Sequence, residues 1–394
     1  FIYSSQGDFY YLCFLIFLSL NIVIKEVTTK KELKQFVSFP DRLFKKEPNY
    51  IPPLHQEEMD NFSSVKNPAY EYCDTKLWLA YDGKVVIGRV CGIVNHYANE
   101  VWQEHKVRFG WFDFIPNMEV CELLINTVAD FGRSHGATVM HGPLGFTNMD
   151  KECWMIDGFD AHQNISTLFN PPYYVEYLQK LGFIIDCEWQ QTKIIIDQPI
   201  PEKITRLSNI VSEKYHLRIL DVKNRRDIIP YAKQFFHTLN LSFKDIYGFI
   251  PLKDDEIELQ IHKYFDFVNL DLVKFVVTEQ NEVIGFGLGL PDLSSAFRKA
   301  NGHLFPFGWC HILHALKHYD SVDFLLTGVR PDWQKKGVHA IFHQSMHEFA
   351  LKHGIKIAYS NPQITTFEAV KVWDHQYTLY EPMCHRAIFS KPIE

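Results

Sequence analysis

The 394-residue sequence lacks the patterns that mark several common classes of protein. Its eight cysteines include no C-x-x-C pair, which argues against a cysteine zinc site or a disulfide framework and indicates reduced thiols in a cytoplasmic protein. The net charge of −7 offers phosphate backbones no general attraction, so we expect no nucleic-acid partner. An uncharged apolar run, residues 9–20, is too short to span a bilayer as a helix.

This apolar run leaves two interpretations of residues 1–21 open. They form either a non-native extension ahead of a domain that begins near residue 22, or a short hydrophobic anchor. Neither a basic segment nor a small-residue cleavage site accompanies the run, so it does not resemble a signal peptide. We expect no stable membrane insertion.

The remaining sequence has the composition of a globular α/β protein and the alternation of strand-like and helix-like segments typical of one. With 46% apolar and 22% charged residues, its length fits two domains that each bury a core. Strand-like and helix-like segments alternate from residue 22 onward, which is typical of an α/β (α+β) fold with a mixed sheet. We predict one domain at residues 22–197, a linker at 198–215 and a second domain at 216–394.

Short identical segments recur in the same order in the two predicted domains. The tripeptide Val-Ile-Gly occurs at residues 86–88 and again at 283–285, 197 residues later. The dipeptide His-Gly occurs at 135–136 and again at 353–354, 218 residues later. The shared order favours a tandem duplication, and the longer second offset predicts an insert around residues 294–318.

The segment 324–338, FLLTGVRPDWQKKGV, joins a predicted strand to a predicted helix through a turn that contains glycine. The first turn of a helix has unpaired N–H groups and the positive end of the helix dipole, so it can bind a phosphate group. Gly337 permits close approach, and Lys335 and Lys336 add positive charge. An ordinary strand–helix connection with solvated lysines is the alternative.

This segment resembles the acyl-CoA-binding signature of the GNAT superfamily of N-acetyltransferases, in which Val-x-Pro precedes Gln/Arg-x-x-Gly-x-Gly/Ala. Val329, Pro331, Gln334 and Gly337 match, whereas His339 stands where glycine or alanine is expected. The resemblance implies two tandem GNAT-like acyl-CoA N-acyltransferase domains, with acetyl-CoA or another acyl-CoA as co-substrate. It also implies a set of cofactor-binding residues that hold the pyrophosphate and pantetheine, namely Gly328, Val329, Gln334, Lys335, Lys336, Gly337, Val338, His339, Ala340 and Asn361. Asn361 could instead cap a following helix.

The corresponding place in the first domain, residues 114–119, has neither a glycine nor a Gln/Arg-x-x-Gly pattern. We therefore expect a degenerate N-terminal copy without a recognisable CoA loop. Tyr173 and Tyr174 are candidate substrate-binding residues in a cleft between the domains. Their alternative role is structural, in an ordinary turn.

Acyl transfer to an amine needs a base, a donor to the oxyanion and an acid for the departing thiolate. The resemblance implies that a strand N–H near Val329 is the donor and that a tyrosine after the last helix is the acid. Trp373 stands at the usual tyrosine position, so Tyr377 and Tyr380 are the candidates for the acid.

Asp323 and His314 are the candidates for the base. One further pattern suggests metal binding, because His339, His343 and His347 are spaced i, i+4, i+8 along one predicted helix. These histidines flank an apolar stripe and no carboxylate or cysteine completes the set nearby. We therefore expect no metal.

The sequence is most consistent with a CoA-dependent N-acyltransferase, first of all an acetyltransferase, whose acceptor is a small-molecule amine. Two alternatives stay open. The Fem-type ligases, which use aminoacyl-tRNA, also have tandem GNAT-like domains, but they should lack a CoA loop. A non-catalytic protein that binds acyl-CoA or a metabolite would explain Trp373 in place of the tyrosine.

Overall fold

The computed structural model describes residues 20–264, 269–366 and 380–393. Most of the predicted hydrophobic extension lies outside these ranges. Among the described helices, none combines the length and the apolar character that crossing a membrane requires.

The first half alternates strands and helices as the sequence predicts. Its strands are Ile22–Glu26 (β1), Cys73–Asp82 (β2), Val85–Asn95 (β3), Lys106–Phe114 (β4), Val139–Gly142 (β5), Trp154–Met155 (β6) and Ile184–Ile195 (β7). Its helices are Lys30–Leu43 (α1), His55–Asn61 (α2), His96–Trp102 (α3), Met118–Ser134 (α4) and Pro172–Lys180 (α5).

The second half repeats this order after an additional helix. Its helices are Glu202–Tyr215 (α6), Arg225–Phe243 (α7), Asp254–Tyr264 (α8), Ser294–Ala300 (α9), Gly308–Lys317 (α10) and His339–Lys352 (α11). Its strands are Arg218–Ile219 (β8), Val273–Val277 (β9), Val283–Pro291 (β10), Ser321–Val329 (β11), Ile357–Ser360 (β12), Gln363–Ile364 (β13) and Tyr380–Pro392 (β14). Helix α10 occupies the insert predicted between β10 and β11, where the first half has α3 alone.

Local sequence explains where α1 begins and which side it buries. Thr29 caps its first turn, and Glu32 reaches back to the Thr29 backbone in a capping box. Phe36, Val37 and Phe39 are buried against the sheet. Pro40 occurs inside the last turn, just before the helix ends.

Alternate residues of the strands supply two cores on opposite faces of the sheet. Along β2, Trp78 and Ala80 belong to one buried cluster, whereas Leu77 and Leu79 belong to another. Successive strand side chains point to opposite faces, so these clusters lie on the two sides of the sheet. The mixed α/β architecture predicted from the sequence is confirmed.

The backbone pairing shows the duplication directly. Gly88 of β3 faces Phe114 of β4, and the matching Gly285 of β10 faces Val329 of β11. The residue after each second strand donates its N–H to the isoleucine of the matching Val-Ile-Gly tripeptide, at 3.0 Å in the first half and 2.9 Å in the second. In each half this strand also runs parallel to the next one, β4 to β5 and β11 to β12. The tandem organisation is confirmed.

One continuous sheet runs through both halves, in the order β1-β2-β3-β4-β5-β14-β7-β12-β11-β10-β9-β8. The last strand of the chain, β14, lies between β5 and β7 of the first half. Strand β7, in turn, pairs with β12 of the second half. The halves therefore share strands across their junction, and the domain limits at residues 197 and 216 stay a sequence-based prediction.

Arg386 of β14 stabilises the junction between the two halves. Its guanidinium is fully buried and donates to the side-chain oxygens of Gln191 on β7 and Gln163, and to the carbonyl of Leu168. Because Gln163 and Leu168 belong to the loop between β6 and α5, this one side chain links two central strands to that loop.

We expect Arg386→Met to lower the free energy of unfolding by about 3 kcal/mol, because it leaves buried acceptors without a donor while keeping most of the side-chain volume. Urea denaturation measures the loss. Arg133→Ala, which removes an exposed pair with Asp130, is the control and should change stability by less than about 0.5 kcal/mol. Equal stability of the two variants would contradict this role of Arg386.

Candidate active site

Strands β11 and β12 separate partway along their length. They pair from Ser321 opposite Ile357 to Phe324 opposite Ser360, and the pairing ends there. The next residue, Asn361, closes the base of the gap, since its backbone N–H donates to Phe324 O at 2.9 Å and its side-chain amide to Leu325 O at 3.0 Å. Beyond Leu325, no strand among the described residues pairs with this edge of β11, and we call the space beside it the gap.

The hydrogen bonds of β11 show which of its backbone groups face this gap. The N–H of Arg330 donates toward β10, to Ile284 O. Backbone groups alternate between the two edges of a strand, so the N–H and C=O of Val329, and likewise of Thr327, point the other way. The side-chain amide of Gln334 reaches Val329 O at 3.0 Å, as this alternation requires.

The loop after β11 exposes backbone donors beside the gap. It forms a short 3-10 turn at Pro331–Trp333, and then Lys335 and Gly337 adopt positive φ angles of 61° and 82°. Helix α11 begins at His339 without a side-chain cap. Among the described residues, no hydrogen-bond partner is found for the N–H groups of residues 335–338. This is the arrangement that binds a phosphate group at a helix N-terminus.

Gly337 is required by both conformation and packing. Its φ angle disfavours any other residue, and a Cβ atom would lie 3.1 Å from Val211 and 3.2 Å from Leu207 on α6. The glycine therefore lets the loop pack on α6 while its N–H groups stay outside. Of the neighbouring lysines, Lys336 lies over the Trp333 ring at 4.5 Å.

The other predicted cofactor residues occupy the same region. The side chains of Val338 and Ala340 are buried, and the Ala340 N–H donates to Gly337 O at 3.0 Å, so of these two residues only Val338 can offer a ligand its N–H. His339 is the first residue of α11. Gly328 fits closely against Phe286, whose ring lies 2.5 Å from the position that a Cβ atom would take.

The equivalent groups of the first half are already bound. The N–H of Phe114 donates to the hydroxyl of Tyr174 at 2.9 Å, and the hydroxyl of Tyr173 donates to Phe114 O at 2.6 Å. Asn117 caps α4 by accepting from the N–H of Val120. Tyr174 is fully buried. These contacts favour the structural alternative for the two tyrosines over the substrate-binding one.

A cluster of one buried and two half-buried titratable side chains lies where the two halves meet. Asp323 is on β11, Asp292 follows β10, and His162 comes from the first-half loop between β6 and α5. Their potential ligand atoms lie within 4.8 Å of one another, with His162 Nε2 3.3 Å from Asp292 Oδ2. The His162 ring stacks at 4.1 Å on Tyr359, the β12 neighbour of Asp323. The sequence analysis identified Asp323 but neither His162 nor Asp292.

The two carboxyl groups of the cluster have opposite electrostatic environments. Burial, and then the charge of Asp292, raise the pKa of Asp323 well above its usual range, and Asn164 opposes this only in part. Neither Asp323 oxygen has a partner of good hydrogen-bond geometry among the described residues. Although burial acts to raise the pKa of Asp292, the His162 ring at 3.3 Å and hydrogen bonds from Ser294 lower it. Such a split is typical of carboxyl pairs with distinct acid and base roles.

The cluster could handle a proton or bind a divalent cation, since it combines imidazole and carboxylate donors. It is the one group among the described residues whose donor atoms lie close enough for a metal. The three histidines of α11 form no such group there. Burial lowers the pKa of His343 to about 3, and His347 Nε2 contacts Gln198 O at 2.8 Å. The absence of a metal stays a prediction.

The structure does not place the remaining candidate catalytic residues in the gap or in the cluster. Tyr377 and Trp373 lie outside the described residues. For Tyr380 the backbone alone is described, in β14 opposite Ile194. His314 is exposed on α10 and its ring lies near that of His318.

Comparisons with known proteins agree with this architecture. No family model matches the chain. It is 25% identical over 323 residues to Protein YghO of Escherichia coli, covering 80% of this chain and 81% of that protein. It is 24% identical over 360 residues to the bacterial ceramide synthase of Caulobacter vibrioides, covering 90% and 93%.

Among solved structures, a tandem GNAT protein from the clavulanic acid biosynthesis pathway aligns with 95% of this chain and 99% of its own. Its TM-score is 0.54 and its sequence identity 8%. This protein therefore has the tandem GNAT fold, and the resemblance to the GNAT superfamily is confirmed at the level of the fold.

We expect Asp323→Asn to leave the protein folded without loss of stability. If Asp323 is the base of an acyl transfer, the variant should also lower kcat by roughly 10²–10⁴-fold. The native carboxyl is costly when ionised, so the variant should gain stability relative to the native protein as the pH rises above the usual aspartate range toward the raised pKa of Asp323. Thermal unfolding between pH 4 and pH 8 measures this difference. Asp320→Asn, at an exposed position, should show no such trend.

Proposed function

We propose that this protein is a CoA-dependent N-acyltransferase whose cofactor site lies in the second half. One observation supports the proposal above all others: no residue that the structure describes pairs with the N–H groups of residues 335–338, which lie at an uncapped helix N-terminus beside the gap between β11 and β12. The matching place in the first half is filled by Tyr173, Tyr174 and Asn117. The geometry therefore favours one CoA site in each chain.

In the proposed complex the CoA pyrophosphate binds the N–H groups of the 335–338 loop, and Lys335 and Lys336 add positive charge. The pantetheine follows β11 backward from Val329 toward Leu325, a distance of about 13 Å at roughly 3.3 Å per residue. Its amides can bind the N–H and C=O of Thr327 and the N–H of Val329, for which no partner is found among the described residues. The thioester then lies near Thr327 and Leu325, and the N–H of Thr327 or Val329 can donate to the oxyanion.

The reaction breaks the bond from the acyl carbon to sulfur and forms a bond from that carbon to the acceptor nitrogen. Asp323 lies two residues from Leu325 and takes the proton of the attacking amine. His162 and Asp292 carry the charges beside Asp323, and each orients the other. The departing thiolate takes a proton from Tyr377, Tyr380 or water, which completes the proton balance.

The acyl acceptor is an amine and the donor is acetyl-CoA or a longer acyl-CoA. The relative named as a ceramide synthase agrees with amide formation, because a ceramide is an N-acylated long-chain amino alcohol. The open loop of the second half disfavours the Fem-type alternative, which needs no CoA pyrophosphate site. Buried Asp323 disfavours a purely binding role, since a costly carboxyl serves no purpose there. We retain the cytoplasm as the proposed location.

Lys335→Glu should weaken the binding of CoA and acetyl-CoA by at least about tenfold, because it places a negative charge beside the pyrophosphate. Isothermal titration measures the affinity. Lys352→Glu makes the same charge change at the exposed far end of α11 and should leave the affinity unchanged. The loop lysine is a better test than Gly337, whose replacement also disturbs the packing on α6. No binding of CoA by the native protein would remove the proposed cofactor.

His162→Gln should lower kcat by roughly 10²-fold while leaving the affinity for CoA unchanged, because His162 lies at the reacting centre and not in the loop. Release of free CoA thiol from acetyl-CoA and longer acyl-CoA, with a panel of amines, measures turnover. His96→Gln, in an exposed pair with Asp74, is the control. CoA binding without turnover for any amine would favour the non-catalytic alternative.

A further inference from the structure

The segment between β10 and β11 exposes an unusual set of large apolar side chains. Helix α9 buries Ser294, Ala296 and Ala300, whereas α10 buries Gly308 alone. The turn between these helices and the start of α10 expose five side chains, which we call the aromatic tip: Leu304, Phe305, Phe307, Trp309 and Leu313. Phe305 is 80% exposed and Phe307 70%. These side chains therefore project separately into solvent.

The charge of this segment differs from that of the rest of the chain. Residues 294–319 contain no aspartate or glutamate, although the chain as a whole carries a net charge of −7. They contain Arg298, Lys299 and Lys317 together with four histidines. Within its own segment the aromatic tip is flanked by cationic and neutral residues alone, which makes the segment complementary to an anionic surface.

Both ends of the segment connect to the candidate active site. At its start, the N–H of Ser294 donates to Asp292 at 2.9 Å. At its end, the chain enters β11 and reaches Asp323. The segment therefore leads directly out of the cluster and returns to it.

Contacts with the first half hold the segment in place. The N–H of His55 donates to Gly302 O at 2.9 Å, and the rings of His55 and His303 lie 4.5 Å apart. A Cβ atom at Gly302 would meet the His55 ring at 2.6 Å, so the approach is close. The turn that carries the aromatic tip is fixed to both halves of the protein.

We infer that the aromatic tip is a membrane-docking element, which inserts its Phe and Trp side chains into the surface of an anionic bilayer. Short elements with exposed aromatic side chains and flanking cations bind at the boundary between headgroups and acyl chains. Separate projecting rings suit this soft boundary better than they suit the flat, packed surface of a protein partner. The inference goes beyond the proposed function, and it places the segment that joins Asp292 to β11 at a lipid surface.

Flotation of the full-length protein with vesicles tests the inference. The native protein should bind vesicles of phosphatidylcholine with phosphatidylglycerol more tightly than vesicles of phosphatidylcholine alone. The double variant Phe305→Ser with Phe307→Ser should lose at least about tenfold in affinity, because it removes two inserted rings. The matched control is Val65→Ser with Ile184→Ser, which alters two exposed apolar side chains elsewhere and should bind like the native protein.

A charge variant, Lys299→Glu with Lys317→Glu, should weaken binding to the anionic vesicles. Its affinity for anionic vesicles should then equal its affinity for neutral ones. Two results would overturn the inference. The first is unchanged vesicle binding by the Phe305 and Phe307 variant, which would assign binding to the apolar residues 9–20. The second is failure of the native protein to bind vesicles, with self-association that the same variant abolishes, since the tip would then contact a second copy. Vesicle binding requires neither CoA nor turnover, so this result is independent of the proposed function.

Discussion

The structure depends on one requirement, which is that every backbone N–H and C=O group at the separation of two parallel strands must find a partner. Parallel pairing satisfies these groups as far as residue 324 in the second half, and then it stops. In the first half, Tyr173 and Tyr174 supply the missing partners and Asn117 caps the next helix. In the second half Gln334 binds Val329 O, but no residue of the described part of the chain pairs with the Val329 N–H, so a ligand with polar groups along an extended chain is the natural partner there.

Exchange of strands between the halves brings distant segments to this gap. Because β14 lies between β5 and β7, and β7 lies beside β12, the loop after β6 comes close to the second half. Arg386 fixes that loop through Gln163, the direct neighbour of His162. The candidate site therefore combines the 335–338 loop of the second half with a titratable side chain of the first. Such a site explains why a half without a cofactor loop can still be needed for function.

Local sequence predicted the parts of the site that depend on local structure. The 324–338 segment contains its own turn chemistry, so the strand, the loop and the start of α11 follow from it. The repeated Val-Ile-Gly segments predicted the duplication, because such a repeat is visible in the sequence itself. His162 and Asp292 could not be found this way, because they meet Asp323 only through tertiary packing. The role of Tyr173 and Tyr174 was equally hidden, since their hydroxyl partners lie on a strand about sixty residues earlier.

Asp323 argues for chemistry at this place more strongly than the fold does. A fully buried carboxyl without a good hydrogen-bond partner among the described residues lowers stability when ionised, and an asparagine or an apolar residue would avoid that cost. Structural ion pairs offset such a cost with an opposite charge, but the charge that acts on Asp323 here is that of Asp292, which increases the cost. A group that is unfavourable for folding and raised in pKa is suited to accept a proton from a substrate amine. The proposal that Asp323 is the base therefore draws on an electrostatic cost that folding alone does not explain.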